Sequence, residues 1–218
     1  MEEGRRGGIA DEDLAPDRVA LLVVDMQNDF VSPQGRMAQY GFDVSDVGAI
    51  VAALSRLLVA ARRAGLLVVH TRMVNDAALN APSWYDFWGK PAVALPGTWG
   101  AAHVAALAPL PTELVIEKFG YGAFFGTNLD TVLCRAGTRT AVVAGTGPGI
   151  CAGETLHQAF ALGYHVIAVS DGQASFSVRG AAYNRILTET ALYTVEHHYG
   201  RVMTSEELII SWRQGGGA

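Results

Sequence analysis

The chain has 218 residues, 50% of them hydrophobic and 17% charged, which suits a single globular domain with a sizeable core. Its net charge is −5 and its basic residues form no cluster, so nucleic acid is not an expected partner. No apolar run reaches the length that spans a membrane. The two cysteines, Cys134 and Cys151, form neither a CxxC pair nor a metal-ligand array, so no disulfide framework is implied and a reducing, cytoplasmic setting fits.

The first stretch, "MEEGRRGGIADEDLAPD", is polar, Gly-rich and without the apolar core of a signal peptide; residues 1–16 read as a flexible arm. A single domain is expected over 17–213, with 214–218 a frayed tail. Within the domain, short β-branched runs alternate with longer helical patterns. Strands are expected at 19–24, 66–71, 114–118, 140–144 and 165–170, with a short sixth at 201–204. The runs are almost continuously apolar, as in strands covered on both faces. Helices are expected at 44–64, 127–137, 151–162, 178–197 and 205–213, the first ending at Gly65 as a C-cap. This alternation predicts a three-layer, doubly wound α/β fold with a mainly parallel sheet of about six strands. Sites in such sheets form beyond the carboxyl ends of the strands.

Three chemical groups fall at those ends. The first strand runs into Asp25 in "VVDMQNDF", the third ends at Lys118 in "VIEKFGYGAFFGT", and the fourth leads into "AGTGPGICAGET" with Cys151. Each alone has a plain reading: a loop-starting aspartate, a solvated lysine, a packed cysteine. Together at one sheet edge they suit nucleophilic chemistry. A thiol at a helix N-terminus beside a cation has its pKa lowered, and Asp25 can shuttle its proton. The glycines let backbone N–H groups turn inward as an oxyanion hole, with Gly147 and Cys151 as donors because Pro148 has no N–H. The same turn also fits a dinucleotide fingerprint loosely, as Gly147-x-Gly149-x-x-Ala152 with Asp171 ending the next strand. That alternative uses the fourth strand in place of the first, and it leaves Asp25, Lys118 and Cys151 without a role.

At these residues the sequence resembles the isochorismatase-like cysteine hydrolases, a family that includes nicotinamidases, N-carbamoylsarcosine amidohydrolase and ureidoacrylate hydrolase. "ALLVVDMQNDF", "EKFGYGAFFGTNLD" and "VVAGTGPGICAGETLHQAFALGYHVIAVSDGQAS" look like its three motifs, and the likeness runs from about residue 17 to 205. The resemblance implies catalytic Asp25, Lys118 and Cys151, a cis peptide at Thr146–Gly147, no cofactor, and assembly as a homodimer or homotetramer. A non-proline cis bond costs about 3 kcal/mol and needs strong support. This chain departs from the family pattern in two places. Pro148-Gly149 stands where Thr-Asn is common, and Gly153 stands where an acidic residue is common. The Asp-x-His cluster with which some nicotinamidases bind metal is absent from "VVHTRMVND", so His70 is expected to be packed or hydrogen-bonded and no metal is expected.

For the pocket, Gln27 and Phe30 follow Asp25, and Tyr121, Phe124 and Phe125 follow Lys118. The long stretch "NDAALNAPSWYDFWGKPAVALPGTWG" brings Trp84, Tyr85, Trp88 and Trp99 as a lid or an oligomer contact. The expected substrate-binding set is Gln27, Phe30, Tyr121, Phe125, Trp84 and Trp88. Arg72 is read as a surface ion pair that a substrate carboxylate could also meet, and Arg62 and Arg63 as a solvated helix end. The expected activity is cysteine-dependent hydrolysis of a C–N bond in a small amide, ureide or lactam through a thioester. The alternatives are isochorismatase-type vinyl-ether hydrolysis and a non-catalytic binding or scaffold role.

Overall fold

A computed structural model describes residues 9–89 and 92–215. Six strands form one sheet: β1 (Val19–Val24), β2 (Leu67–Met73), β3 (Leu114–Lys118), β4 (Thr140–Thr146), β5 (His165–Ala174) and β6 (Arg201–Met203). Their order is β3-β2-β1-β4-β5-β6 and every neighbouring pair is parallel. The helices are α1 (Asn28–Val31), α2 (Arg36–Gln39), α3 (Val47–Arg63), α4 (Pro82–Trp88), α5 (Leu129–Arg135), α6 (Cys151–Ala161), α7 (Ala181–His198) and α8 (Ser205–Gly215).

The pleat divides β1 between two cores. Leu21 and Val23 face a cluster with Leu54, Leu57 and Leu58 of α3 and Leu208, Ile209 and Trp212 of α8. Ala20, Leu22 and Val24 face a second cluster with Leu129 and Leu133 of α5, Leu156 and Ala159 of α6 and Val195 of α7. All six residues of β1 are buried, which explains its unbroken apolar run. Each buried leucine contributes about 1.5–3 kcal/mol by leaving water.

The chain winds one way from β1 to β2 and β3, and the other way from β1 to β4 and β5. The strand order thus reverses between β1 and β4, and sheets of this kind hold their sites beyond the carboxyl ends of the strands at such a point. Asp25 and the Gly147–Cys151 turn open there.

Two expectations about the ends need correcting. Residues 1–8 and 216–218 lie outside the described residues. Over residues 9–16, however, the expected loose arm is packed. Ile9 and Leu14 join the core, and Thr140 Oγ1 donates to the Asp13 carbonyl at 2.8 Å. Two apolar side chains spaced along a polar stretch are enough to anchor it. At the other end α8 continues to Gly215.

Candidate active site

Asp25 lies one residue past β1, with φ at +50°, a left-handed conformation that a side chain makes costly by about 1–3 kcal/mol. Its Oδ2 is 2.7 Å from Lys118 Nζ, and both side chains are fully buried. The ammonium reaches across the end of β2 and also donates to the carbonyls of Gly120 at 2.9 Å and Tyr121 at 2.7 Å. Burial pulls the Lys118 pKa down, but Asp25 and the Cys151 thiol together hold it above its ordinary value.

Cys151 begins α6 and is buried. Burial pushes its thiol up to about 12; Lys118 pulls in the opposite direction and Asp25 raises it further. The direction is opposite to the expected lowering, since burial and the aspartate together outweigh the cation. A buried ion pair is expensive to maintain, and its place beside a buried thiol makes this a candidate functional position.

The turn before Cys151 is built on glycine. Gly145 has φ +130°, and a Cβ there would overlap the backbone of Val24. Gly147 has φ +67°, and its carbonyl accepts N–H groups from Ile150 at 2.8 Å, Ala152 at 3.0 Å and Gly153 at 3.3 Å. Two further corrections follow. Among the described residues there is no cis peptide, so Thr146–Gly147 is trans and the positive φ angles make the turn at lower cost than a non-proline cis bond. The Gly147 N–H donates to the Ala174 carbonyl at 2.9 Å, so it is not available to an oxyanion. The Cys151 N–H has no acceptor among the described residues and remains as the donor of the expected pair.

The sequence's two departures from the family pattern belong together. A Cβ on Gly153 would meet the Pro148 carbonyl oxygen far inside 3.0 Å, and the carbonyl carbon at 3.1 Å. The Pro148-Gly149 turn thus lays a carbonyl against the first turn of α6 and leaves room there only for glycine.

The dinucleotide alternative fails on its acid. Asp171 accepts from Ser205 N–H at 2.7 Å and from Ser205 Oγ at 2.6 Å, capping α8. The first-turn amides of α6 converge on the Gly147 carbonyl and not on a phosphate position.

The remaining site residues divide. Gln27 is fully buried, and its amide is wholly engaged. Nε2 donates to the carbonyls of Met73 at 2.8 Å and Ala101 at 3.0 Å, and Oε1 accepts the Met73 N–H at 2.8 Å. It is a clamp between loops and not the expected substrate contact, because a buried amide must find partners within the protein. Phe30 on α1 stacks on Phe176 at 6.4 Å and joins the core on the α3 side. Phe125 is 87% exposed, unlike the buried Asp25, Lys118 and Cys151. Trp84, Trp88 and Tyr121 do gather. Trp88 Nε1 donates to Tyr121 Oη at 2.8 Å, and the rings of Trp84 and Tyr121 are 4.9 Å apart. Tyr121 also accepts from Lys118 Nζ through its carbonyl, so helix α4, which the sequence showed only as a long loop, is tied to Lys118.

His70 is fully buried, and its Nε2 lies 3.2 Å from Glu113 Oε2. Burial first, then the neighbouring His103, pull it down to about 4, so it is neutral. Arg62, expected as solvated, holds the same Glu113 with two hydrogen bonds of 2.7 and 2.9 Å. Arg72 pairs with Glu117 on the adjacent strand, as a surface ion pair should. No group of three or more His, Cys, Asp or Glu side chains that could hold a metal ion occurs among the described residues.

One residue that the sequence did not single out touches the acid directly. Thr71 Oγ1 donates to Asp25 Oδ1 at 2.6 Å and accepts the Asp25 N–H at 3.1 Å. The signal was a polar residue at the carboxyl end of the apolar run "LLVVHT".

Fold and site define a three-layer α/β protein with a cysteine turn and a buried acid–base pair at the switch point of the sheet. A sequence profile of the isochorismatase domain matches residues 19–207, and the chain belongs to the isochorismatase family. It is 32% identical over 209 residues to a ureidoacrylate amidohydrolase, RutB, of Variovorax paradoxus, covering 88% of this chain and 81% of the relative. A RutB of Azorhizobium caulinodans is 31% identical, with 88% of each chain covered. Among solved structures, a cysteine hydrolase from Pseudomonas syringae pv. phaseolicola superimposes with a TM-score of 0.80 at 26% identity, covering 92% of this chain and 94% of that one. N-carbamoylsarcosine amidase from Thermoplasma acidophilum gives 0.69 at 26% identity, over 87% and 97%.

Proposed function

We propose that this protein is a cysteine-dependent hydrolase of a C–N bond in a small amide or ureide, acting through a thioester on Cys151. The observation that carries the reading is the buried Asp25–Lys118 pair at 2.7 Å beside a thiol at the start of α6. The printed activities of the relatives, ureidoacrylate amidohydrolase and N-carbamoylsarcosine amidase, name the same bond type.

The steps follow from the resting charges. As the Cys151 sulfur attacks the substrate carbonyl carbon, its proton passes to Asp25, so a free thiolate is never needed. The developing oxyanion faces the Cys151 N–H at the positive end of α6. Asp25 then returns the proton to the leaving nitrogen, the C–N bond breaks, and ammonia or an amine departs. Water attacks the thioester with Asp25 again as base, releasing the acid product and restoring the thiol. Lys118 keeps its charge throughout and holds the carboxylate in place. Trp84, Trp88 and Tyr121 form an aromatic wall suited to a planar substrate.

Two finer points belong to the same proposal. Free cysteines suit a cytoplasmic location. Assembly with a second copy is supported by α7, which exposes Ile186 (52%) and Tyr193 (60%) on its outer side. Ammonia release from ureidoacrylate, N-carbamoylsarcosine and a panel of simple amides tests the activity. Turnover that disappears in Cys151→Ala is expected, and turnover that persists in that variant refutes the thiol mechanism.

A further inference from the structure

We infer that Thr71 is the positioning residue of the catalytic acid–base: its single hydroxyl fixes both the strained backbone and the carboxylate orientation of Asp25, so that the free side of the carboxylate meets the thiol. The inference rests on Asp25 acting as the base for Cys151.

The geometry is reciprocal. A threonine hydroxyl has one proton and two lone pairs. Here the proton goes to Asp25 Oδ1 at 2.6 Å, and a lone pair takes the Asp25 N–H at 3.1 Å. Asp25 needs both. Its φ of +50° lies where non-glycine residues persist only when their surroundings over-determine them. With Oδ1 bound to Thr71 and Oδ2 bound to Lys118 at 2.7 Å, the plane of the carboxylate is set by two partners on different strands. Lys118 alone could not do this, because an ammonium is a point charge without the paired donors that fix the plane of a carboxylate.

Thr71 is itself held. It is fully buried in β2, between the strands that carry Asp25 and Lys118. Its carbonyl lies 3.0 Å from His103 Nε2. The hydroxyl is therefore a fixed reference for the aspartate, and a β-branched side chain in a strand keeps its χ1.

The test compares Thr71→Val, which keeps the shape and removes the hydroxyl, with Thr71→Ser, which keeps the hydroxyl and leaves a small cavity. The probe is iodoacetamide at pH 7, with modification of Cys151 followed by mass spectrometry. In that reaction the S–C bond forms, iodide leaves, and the thiol proton passes to Asp25. Thr71→Val is expected to slow alkylation about tenfold or more, on the scale of a displaced general base. Thr71→Ser is expected to stay within about threefold of wild type, although the cavity left by its missing methyl lowers the melting temperature. Equal alkylation of wild type and Thr71→Val overturns the inference, as does a serine variant as slow as the valine one, which would mean that reactivity tracks packing. Asp25→Asn separates the two levels. If it slows alkylation while Thr71→Val does not, only the role of Thr71 fails. If neither variant slows it, Asp25 is not the base and the underlying reading fails as well.

Discussion

Substituting Gly153 by alanine puts the turn chemistry under the sharpest strain. In most helices this change stabilises, by about 1 kcal/mol. Here the new Cβ would meet the Pro148 carbonyl oxygen well inside 3.0 Å, so that carbonyl or the first turn of α6 must retreat by about half an ångström or more. Overpacking of this kind costs about 1–3 kcal/mol, so the helix gain offsets part of it and the net loss is at most about 2 kcal/mol. In a domain of this size that lowers the melting temperature by no more than about 8 °C. The catalytic effect should be larger. The Gly147 carbonyl that organises the turn accepts the N–H of Gly153 itself, and Cys151 lies between them. A shift approaching 1 Å at a nucleophile costs about a hundredfold. The assay pairs thermal unfolding with kcat for ammonia release. A small loss of stability with a fall in kcat of tenfold or more is expected. Unchanged kcat in a folded Gly153→Ala protein would refute the argument that Pro148-Gly149 and Gly153 form one device.

Two further outcomes follow from the buried charges. Lys118→Met leaves the Asp25 carboxylate uncompensated and should cost about 3–5 kcal/mol in urea unfolding together with all turnover. The double variant Asp25→Asn/Lys118→Met should recover most of that stability but none of the activity, and a double variant no more stable than the single one would contradict this account. His70 supplies a pH dependence. Its folded pKa of about 4 lies below its ordinary value of 6.5, so the unfolded chain takes up the proton first as the pH falls. The stability of the neutral form is complete above about pH 6.5 and is lost toward pH 4, by about 3 kcal/mol. Urea midpoints measured at pH 7 and pH 4 should show this slope, and His70→Gln should flatten it. A slope unchanged in His70→Gln would show that His70 does not carry it.

The sequence disclosed most where one physical signal acted alone. β1 begins and ends where its apolar run does, since a strand buried on both faces has little else to be, and β3 also keeps its expected bounds although it is an edge strand with Leu114 and Glu117 exposed. β5 runs four residues past its expected end, to Ala174, because "DGQA" has turn composition yet pairs with Gly145 and Thr146 beyond an irregularity in register. Cooperative pairing overrode local propensity there. α4 was hidden in a Pro- and Gly-rich stretch, and its seven residues are too few to show a period. The placing of Asp25, Lys118 and Cys151 was legible because Asp25 follows β1, Lys118 ends β3 and Cys151 opens the helix after β4. Their support was not. Thr71 and Gln27 act through contacts between residues 46 apart in the chain, and no local pattern encodes those. The thiol pKa was misjudged for a related reason. The cation is visible in sequence, whereas the burial that outweighs it appears only in three dimensions.

The central claim is that Cys151 attacks the carbonyl carbon of the substrate. Mass spectrometry of the intact enzyme, quenched during turnover of a small amide or ureide, tests it most directly. The account predicts an acyl adduct, one substrate acyl group heavier than the enzyme, mapped to the peptide carrying Cys151, lost in Cys151→Ala and absent from the exposed Cys134. Turnover without any adduct on Cys151, or undiminished in Cys151→Ala, would contradict it.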